Sequence, residues 1–438
     1  FFFFFNLSSV TLLESLVSMG SQEFIGCSFL TSVVIPKNIK TIEPGTFRGC
    51  SSLTNIVLPD SLVTIGESAF RGCGMSQIRI PDNVSVFGSY AFRECVNLTS
   101  VTIPKSMAHI ANGAFYGCSN MTSVTIPEGV TTIEHNAFHL CNLLSLSLPR
   151  SLTTIAGEGS YTGAFSDNKN LSVVVIPDNV TTVVGGAFAG CTSLKTIVFG
   201  ANVTTLGAGA LRGCTSLAEV SLPKKLTIIP NSCFLGCPAL YKVILPEGLT
   251  TIEGYAFQDC SSLQTIQLPS TIRVMTQAFA GCTGLVEIEI PEGVSILDNT
   301  FMDCPNLSKV TLPSSLTTIG TQAFRRCSNL VSLHIPSGVT NIGNSAFYGC
   351  IALSNIVLPS GLTTLGDYAF QDCRALSKIV LPNKLTSVPN YAFVNCQSLA
   401  DVTLPVGLKS IGVSAFYGCS PLNTIQLPQG LTSIGEYA

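Results

Sequence analysis

Charge is scarce in this 438-residue chain. Asp, Glu, Lys and Arg make up 11% of it, where a soluble domain usually carries about a quarter, and Ser, Thr, Asn and Gly stand in their place. The net charge is -3 with no basic run, which excludes a nucleic-acid footprint or a polybasic membrane patch. Long apolar runs are missing too. Mean hydropathy is +0.47, yet a polar residue or proline arrives every few positions, so no stretch approaches the length of a spanning helix. Only four histidines occur. Gly-x-Ser-x-Gly, His-Glu-x-x-His, P-loop and dinucleotide fingerprints are absent, as is any Cys-x-x-Cys pair. His135 and His139 have i, i+4 spacing, but no acidic or thiol partner shares their segment, so they read as exposed polar residues. His109 and His334 fall at solvent-facing strand positions. No catalytic set, cofactor or metal is expected.

What is present is a phrase that recurs about every 23 residues. One copy reads Leu53-x-x-Ile56-x-Leu58-Pro59-x-x-Leu62-x-x-Ile65-Gly66-x-x-Ala69-Phe70-x-x-Cys73. Seventeen of the 18 cysteines keep the period, from Cys27, Cys50 and Cys73 to Cys419, nearly all 22 or 23 residues apart. The gap from Cys141 to Cys191 spans two units, with Asn168 at the missing position. Prolines from Pro36 and Pro59 to Pro428 keep a second register, with Gly200 in one slot and Leu13 in the earliest. That gives 19 strand positions. A fixed period in the range of about 20–50 residues means a solenoid, in which each unit buries its apolar face against its neighbours.

The stretch before each proline is β-branched and alternating, hence a strand. Proline ends it, lacking a ladder donor. A second apolar pulse follows (Leu62 and Ile65, Leu249 and Ile252), then a bend at glycines such as Gly66 and Gly343. Ala-Phe-x-x-Cys turns the corner as one helical or 3₁₀ turn, with its Phe filling the interior. The cysteines read as a buried thiol ladder of small apolar packing: stacked residues have parallel Cβ vectors, which suit disulfide geometry badly. Phe1 to Phe5 superficially resemble a signal-peptide core, but Leu7, Val10, Leu12, Leu16 and Met19 fit the repeat, and Phe24 and Cys27 close that unit. One solenoid is expected over 1–438, without visible caps, as an excerpt of a longer protein.

These landmarks resemble the BspA-like type of leucine-rich repeat across essentially the whole chain. The resemblance implies a curved, right-handed solenoid with a parallel sheet on its concave face: mainly parallel β, with short helical or 3₁₀ turns, in about 19 coils. It also implies a surface protein, since family members include adhesins for host matrix proteins or other microbes. Departures are Leu211 for Phe, Cys233 for Ala, Asn168 for Cys, and an expansion between Ile155 and Phe165.

The outward strand positions form a Val/Thr/Ser carpet in which charge thickens at Glu219, Lys242, Glu287, Glu289 and Lys309. This mixed-charge patch is the candidate protein-binding site. Thr recurs at the outward position of the second strip (Thr41, Thr64, Thr132, Thr154), a feature of ice-binding solenoids that β propensity alone explains here. Eight sequons, Asn6 and Asn83 among them, arise mostly from the repeat phrase. The expanded loop Ala156–Gly163 could form a contact loop. The expected function is non-enzymatic protein binding by a cell-surface or secreted protein, its partner a host matrix or cell-surface protein. The alternative is an intracellular leucine-rich-repeat scaffold.

Overall fold

The computed structural model describes residues 6–157 and 162–438. They form two compact units, Phe1–Leu226 and Thr227–Ala438, each a stack of the same coil. A coil consists of a three-residue strand, a proline-ended turn, a two-residue strand and a corner. Among the described residues there are 14 three-residue and 17 two-residue strands. Strands one coil apart pair in parallel and in register. Thus Ser32–Val34 pairs with Asn55–Val57, and Thr132, Thr154, Thr182 and Thr205 lie side by side. In the three-residue strands the middle side chain points inward and its neighbours outward, as at Val101 between Ser100 and Thr102.

Fewer three-residue strands form than the 19 positions read from the repeat. The positions ending at Leu12, Ile80, Leu148, Leu268 and Leu427 carry none; at Ile80 and Leu148 the run from cysteine to proline is one residue short. Losing one residue shifts the pleat and breaks register with the neighbouring ladder.

The corner corrects the expectation of a helical or 3₁₀ turn: no helix forms among the described residues. Two residues per corner have a left-handed backbone, such as Ser68 (φ 53°) and Gly72 (φ 71°). These are the third residues of turns closed by Ala69 N–H to Gly66 O and Cys73 N–H to Phe70 O, the place where a type II turn requires positive φ. The alternate amides serve another purpose. Those of Ser68, Phe70 and Gly72 donate to the carbonyls of Ser89, Ala91 and Arg93 on the next coil, at 2.8–3.0 Å. A helix would use every amide within its own coil, whereas this corner divides them between turn closure and stacking. The bend glycine is set by crowding and not by φ: a Cβ on Gly88 would lie 2.2 Å from Glu67 N of the preceding coil.

The core is a column of rings. Phe24, Phe47, Phe70, Phe92, Phe115, Phe138, Phe165 and Phe188 follow one another in the first unit with centroids 5.2–5.6 Å apart and near-parallel planes. A second column runs from Phe234 to Phe416 in the other unit. Each buried ring contributes about 1.5–3 kcal/mol by leaving water, and stacking adds about 0.5–1.5 kcal/mol per pair.

Beside the rings run the thiols of the 18 cysteines, each of them buried. Their role is more specific than apolar filling. Cys73 Sγ donates to the Phe47 carbonyl of the preceding coil at 3.1 Å, and Cys95, Cys118 and Cys282 make the same bond to Phe70, Phe92 and Phe257 at 3.0–3.2 Å. Each Phe carbonyl already accepts the N–H of its own cysteine in the corner turn, so the thiol serves its second lone pair. Asn168 supports this reading. Its side-chain amide donates to Phe138 O and Phe165 O at 2.9 Å, and its Oδ1 accepts from Leu143 N at 3.0 Å. A polar residue stands at the cysteine position because that position is a donor site. Burial pushes the thiols of Cys95, Cys141, Cys191 and Cys350 up to about 12, so they stay protonated and unreactive at neutral pH.

Candidate interaction surface

Because the strand ladder alternates inward and outward side chains, the outward residues of successive three-residue strands share one face. Of the charged residues singled out in the sequence, three come together in the second unit. Glu287 pairs in register with Lys309, their side chains bridging at 3.1 Å, and Glu289 lies beside Thr311. With Thr265 and Gln267 they line a shallow concavity of about 370 Å³. Lys242 is exposed on strand Lys242–Ile244 of the same unit, and Glu219 is exposed on strand Glu219–Ser221 of the first unit. The Glu287–Lys309 bridge is open to solvent on both sides, which leaves it worth well under about 1 kcal/mol.

The same face holds stronger features that the charge pattern did not reveal. In the second unit Val357 and Val380 are 72% and 50% exposed. They line a concavity of about 1000 Å³ together with Asn355, Lys378 and Lys384. Lys378 faces Asp401 across the register, with Nζ 2.7 Å from the carboxylate. In the first unit Val175 and Val198 are paired in register and exposed. They line a second concavity of about 810 Å³ with Phe199, Arg150 and Asp178. An apolar centre rimmed by polar and charged groups is the composition of a binding patch. Val357 and Val380 stand at the outward position that Val34 and Val57 hold earlier in the repeat, which the sequence shows, whereas the concavity they line it does not.

Acidic residues also clamp coils together. Glu128 accepts the N–H groups of Arg150 and Ser151 at 3.0 Å, and Glu292 does the same for Ser314 and Ser315. These backbone hydrogen bonds hold both carboxyls below the ordinary range. Burial alone would raise Glu94, but hydrogen bonds and charge from Arg71 and Arg93 outweigh it and lower the group.

The histidine pair needs one correction. His135 is half-buried, but His139 is buried and not exposed. Its ring sits edge-on to Tyr116, and its Nδ1 lies 2.6 Å from Ser166 Oγ. Burial lowers its pKa, only partly opposed by Asp167. Ser, His and Asp are therefore adjacent, yet both Ser166 and Asp167 approach the same ring nitrogen. A relay needs one partner on each nitrogen, and Ser166 is fully buried, so this cluster packs a corner. Among the described residues no group of three or more His, Cys, Asp or Glu is placed to hold a metal. No helix there is long and apolar enough to cross a membrane. Part of the expanded loop Ala156–Gly163 lies outside the described residues. The Thr strip is registered from Thr132 to Thr205, but Thr132, Thr154 and Thr182 are half-buried rather than a flat exposed row.

Comparison with known proteins matches the repeat throughout. A family model described as "BspA type Leucine rich repeat region" matches in six overlapping copies, over residues 1–98, 42–162, 85–215, 159–282, 262–376 and 322–438. Among solved structures, a leucine-rich repeat protein from Bacteroides ovatus is similar at 28% identity and a TM-score of 0.58, over 87% of this chain and 88% of that one. A leucine rich cell surface protein from Faecalibacterium prausnitzii is similar at 26% identity and a TM-score of 0.46, over 70% of this chain and 88% of its own. A leucine-rich repeat protein from T. pallidum shares 31% identity over 36% of this chain and 78% of its own, with a TM-score of 0.34. No curated protein matches.

Proposed function

This chain belongs to the BspA type of leucine-rich repeat proteins, and from that premise we propose that it is a non-enzymatic recognition module that binds a protein partner through its three-residue-strand face. The observation that carries this reading is that the exposed Val357 and Val380 line one concavity of about 1000 Å³ with Lys378, whose partner is Asp401. Apolar side chains on a solvated face lose nothing structural by pointing outward, and they supply the desolvated centre that a protein interface needs. Glu287, Glu289 and Lys309 extend the same kind of face as a polar rim, where charge steers approach more than it adds affinity.

A cell-surface or secreted location, with a host matrix or cell-surface partner, fits the adhesin resemblance. The buried thiols do not oppose it. Those that burial raises, such as Cys95 and Cys141, stay protonated and resist oxidation in either compartment.

The test is a binding screen of the 438-residue chain against extracellular-matrix proteins and intact bacterial cells, beside a Val357→Asp/Val380→Asp variant. The expected result is at least one partner bound in the micromolar range and weakened at least tenfold by the double substitution. No partner for the folded chain, or binding untouched by the substitution, contradicts the proposal.

A further inference from the structure

A second site lies on the corners of the coils, away from the three-residue strands. Two rows of corner side chains run along the second unit there, one two residues before each core Phe and one just after it. The first row reads Tyr368, Tyr391, Ser414, Tyr437, and the second Gln371, Val394, Tyr417. Tyr368 and Tyr391 stack face to face, 4.8 Å between centroids and 2° between planes. The next rung has no ring, because Ser414 stands where the tyrosines stand, with the same left-handed backbone (φ 51° against 60° and 57°). Tyr437 resumes the row at φ 57°. Ser414 and Val394 are buried at 8% and 7% exposure, while Tyr417 and Tyr437 are 58% and 76% exposed. Two short side chains thus make a floor between taller walls, in an open concavity of about 500 Å³ lined by these seven residues.

The dimensions select an occupant. Tyr368 and Tyr391 stack at 4.8 Å, so a row continued at that spacing puts the rungs of Tyr391 and Tyr437 about 9.6 Å apart. Carbon surfaces touch at about 3.5–4.0 Å, so a flat ring between two faces needs about 7–8 Å. The remaining ~2 Å exceeds what a flat ring fills and admits the pucker and axial substituents of a saturated ring. No charged residue lines the cavity, which disfavours phosphates and acidic sugars. Tyr, Ser and Gln supply hydroxyl and amide groups able to donate and accept at the rim of a polyol.

We infer that the missing rung at Ser414 is a subsite for one neutral hexopyranose, the terminal residue of a glycan, held with its C–H faces against tyrosine and its hydroxyls toward the rim. The inference does not rest on the protein-binding role of the strand face. Either can fail alone.

Saturation-transfer NMR on the intact chain tests it, with methyl β-glucoside, methyl β-galactoside, methyl α-mannoside and, as a flat aromatic control, N-acetylphenylalaninamide. Tyrosine emission gives a second readout, since the chain has no tryptophan. The expected result is millimolar binding of at least one glycoside, and at least as tight binding of an oligosaccharide ending in that hexose. Ser414→Tyr should complete the row and weaken binding at least tenfold. Tyr437→Ser removes a wall at an exposed position and should weaken it too, which keeps the test decisive if the first variant misfolds. Transfer to no glycoside, transfer to the aromatic amide alone, exclusion of the oligosaccharide, or equal binding by the variants overturns the inference.

Discussion

At the corners of the second unit, Phe234, Phe257 and Phe279 follow one another with centroids 5.3 Å apart and planes within 4°. On the strand face of the same coils the outward residues are Ile244, Gln267 and Glu289. One set repeats because each member touches its own copy on the coil before and after, so any change of shape is felt twice. The other set meets water, and its side chains are free to differ. Stability and recognition are therefore written in different columns of the same repeat.

The largest expected effect comes from raising pH far enough to bear on the buried thiols of the corners. A thiol raised from 9.0 to about 12 by burial stays protonated in the folded chain while the unfolded chain ionises. Stability is then fully present below about pH 9 and falls as pH rises toward 12. Near pH 10 each such thiol costs the folded state about 1.4 kcal/mol, and the costs accumulate along the ladder. Circular dichroism across pH 8–11 should show cooperative unfolding in the upper part of that range. A flat profile would break the contrast between the columns.

Single substitutions come next. Phe257→Ala should cost about 3–5 kcal/mol by leaving a cavity between two rings, read as a lowered denaturant midpoint. Gln267→Ala on the face should stay within about 0.5 kcal/mol. Asn168→Ala leaves Leu143 N–H and the Phe138 carbonyl without their buried partner and should cost about 2–3 kcal/mol. Asn168→Cys should recover part of that, because the thiol restores the bond to Phe138 O. Lys378→Ala belongs with Gln267→Ala at the small end. Its bridge to Asp401 is more than half exposed at both ends, so the loss should be under about 1 kcal/mol.

The same division decides what could be read from the sequence. Period, parallel strands and the Phe and Cys interior were legible because stacking demands identity from coil to coil. The corner was misjudged as helical because Ala-Phe-x-x-Cys looks like a helix turn until its neighbours are weighed. The residue before the cysteine is in most coils Gly, Asp or Asn, as at Gly72, Gly117, Asp259 and Asn395, the types that tolerate positive φ, with Glu94, Leu140 and Arg326 as exceptions. The thiol's hydrogen bond was hidden because cysteine also passes for a small apolar residue, and only Asn168 betrayed it. On the strand face, Glu287 and Lys309 share the outward position of adjacent coils, which the period alone makes readable. Val357 and Val380 were overlooked because valine on a strand is unremarkable until its exposure is known. The empty rung at Ser414 needed coordinates, since a serine among tyrosines has meaning only when the tyrosines stack.

The central claim is that every coil hides its thiol and ring against the next. Titration of the native chain with a thiol reagent at pH 7.5, repeated in concentrated guanidinium, tests it most directly. At most two of the 18 cysteines should react within minutes in the native chain, those being the outermost rungs, and all should react once it unfolds. Rapid reaction of many thiols in the native state would contradict the account.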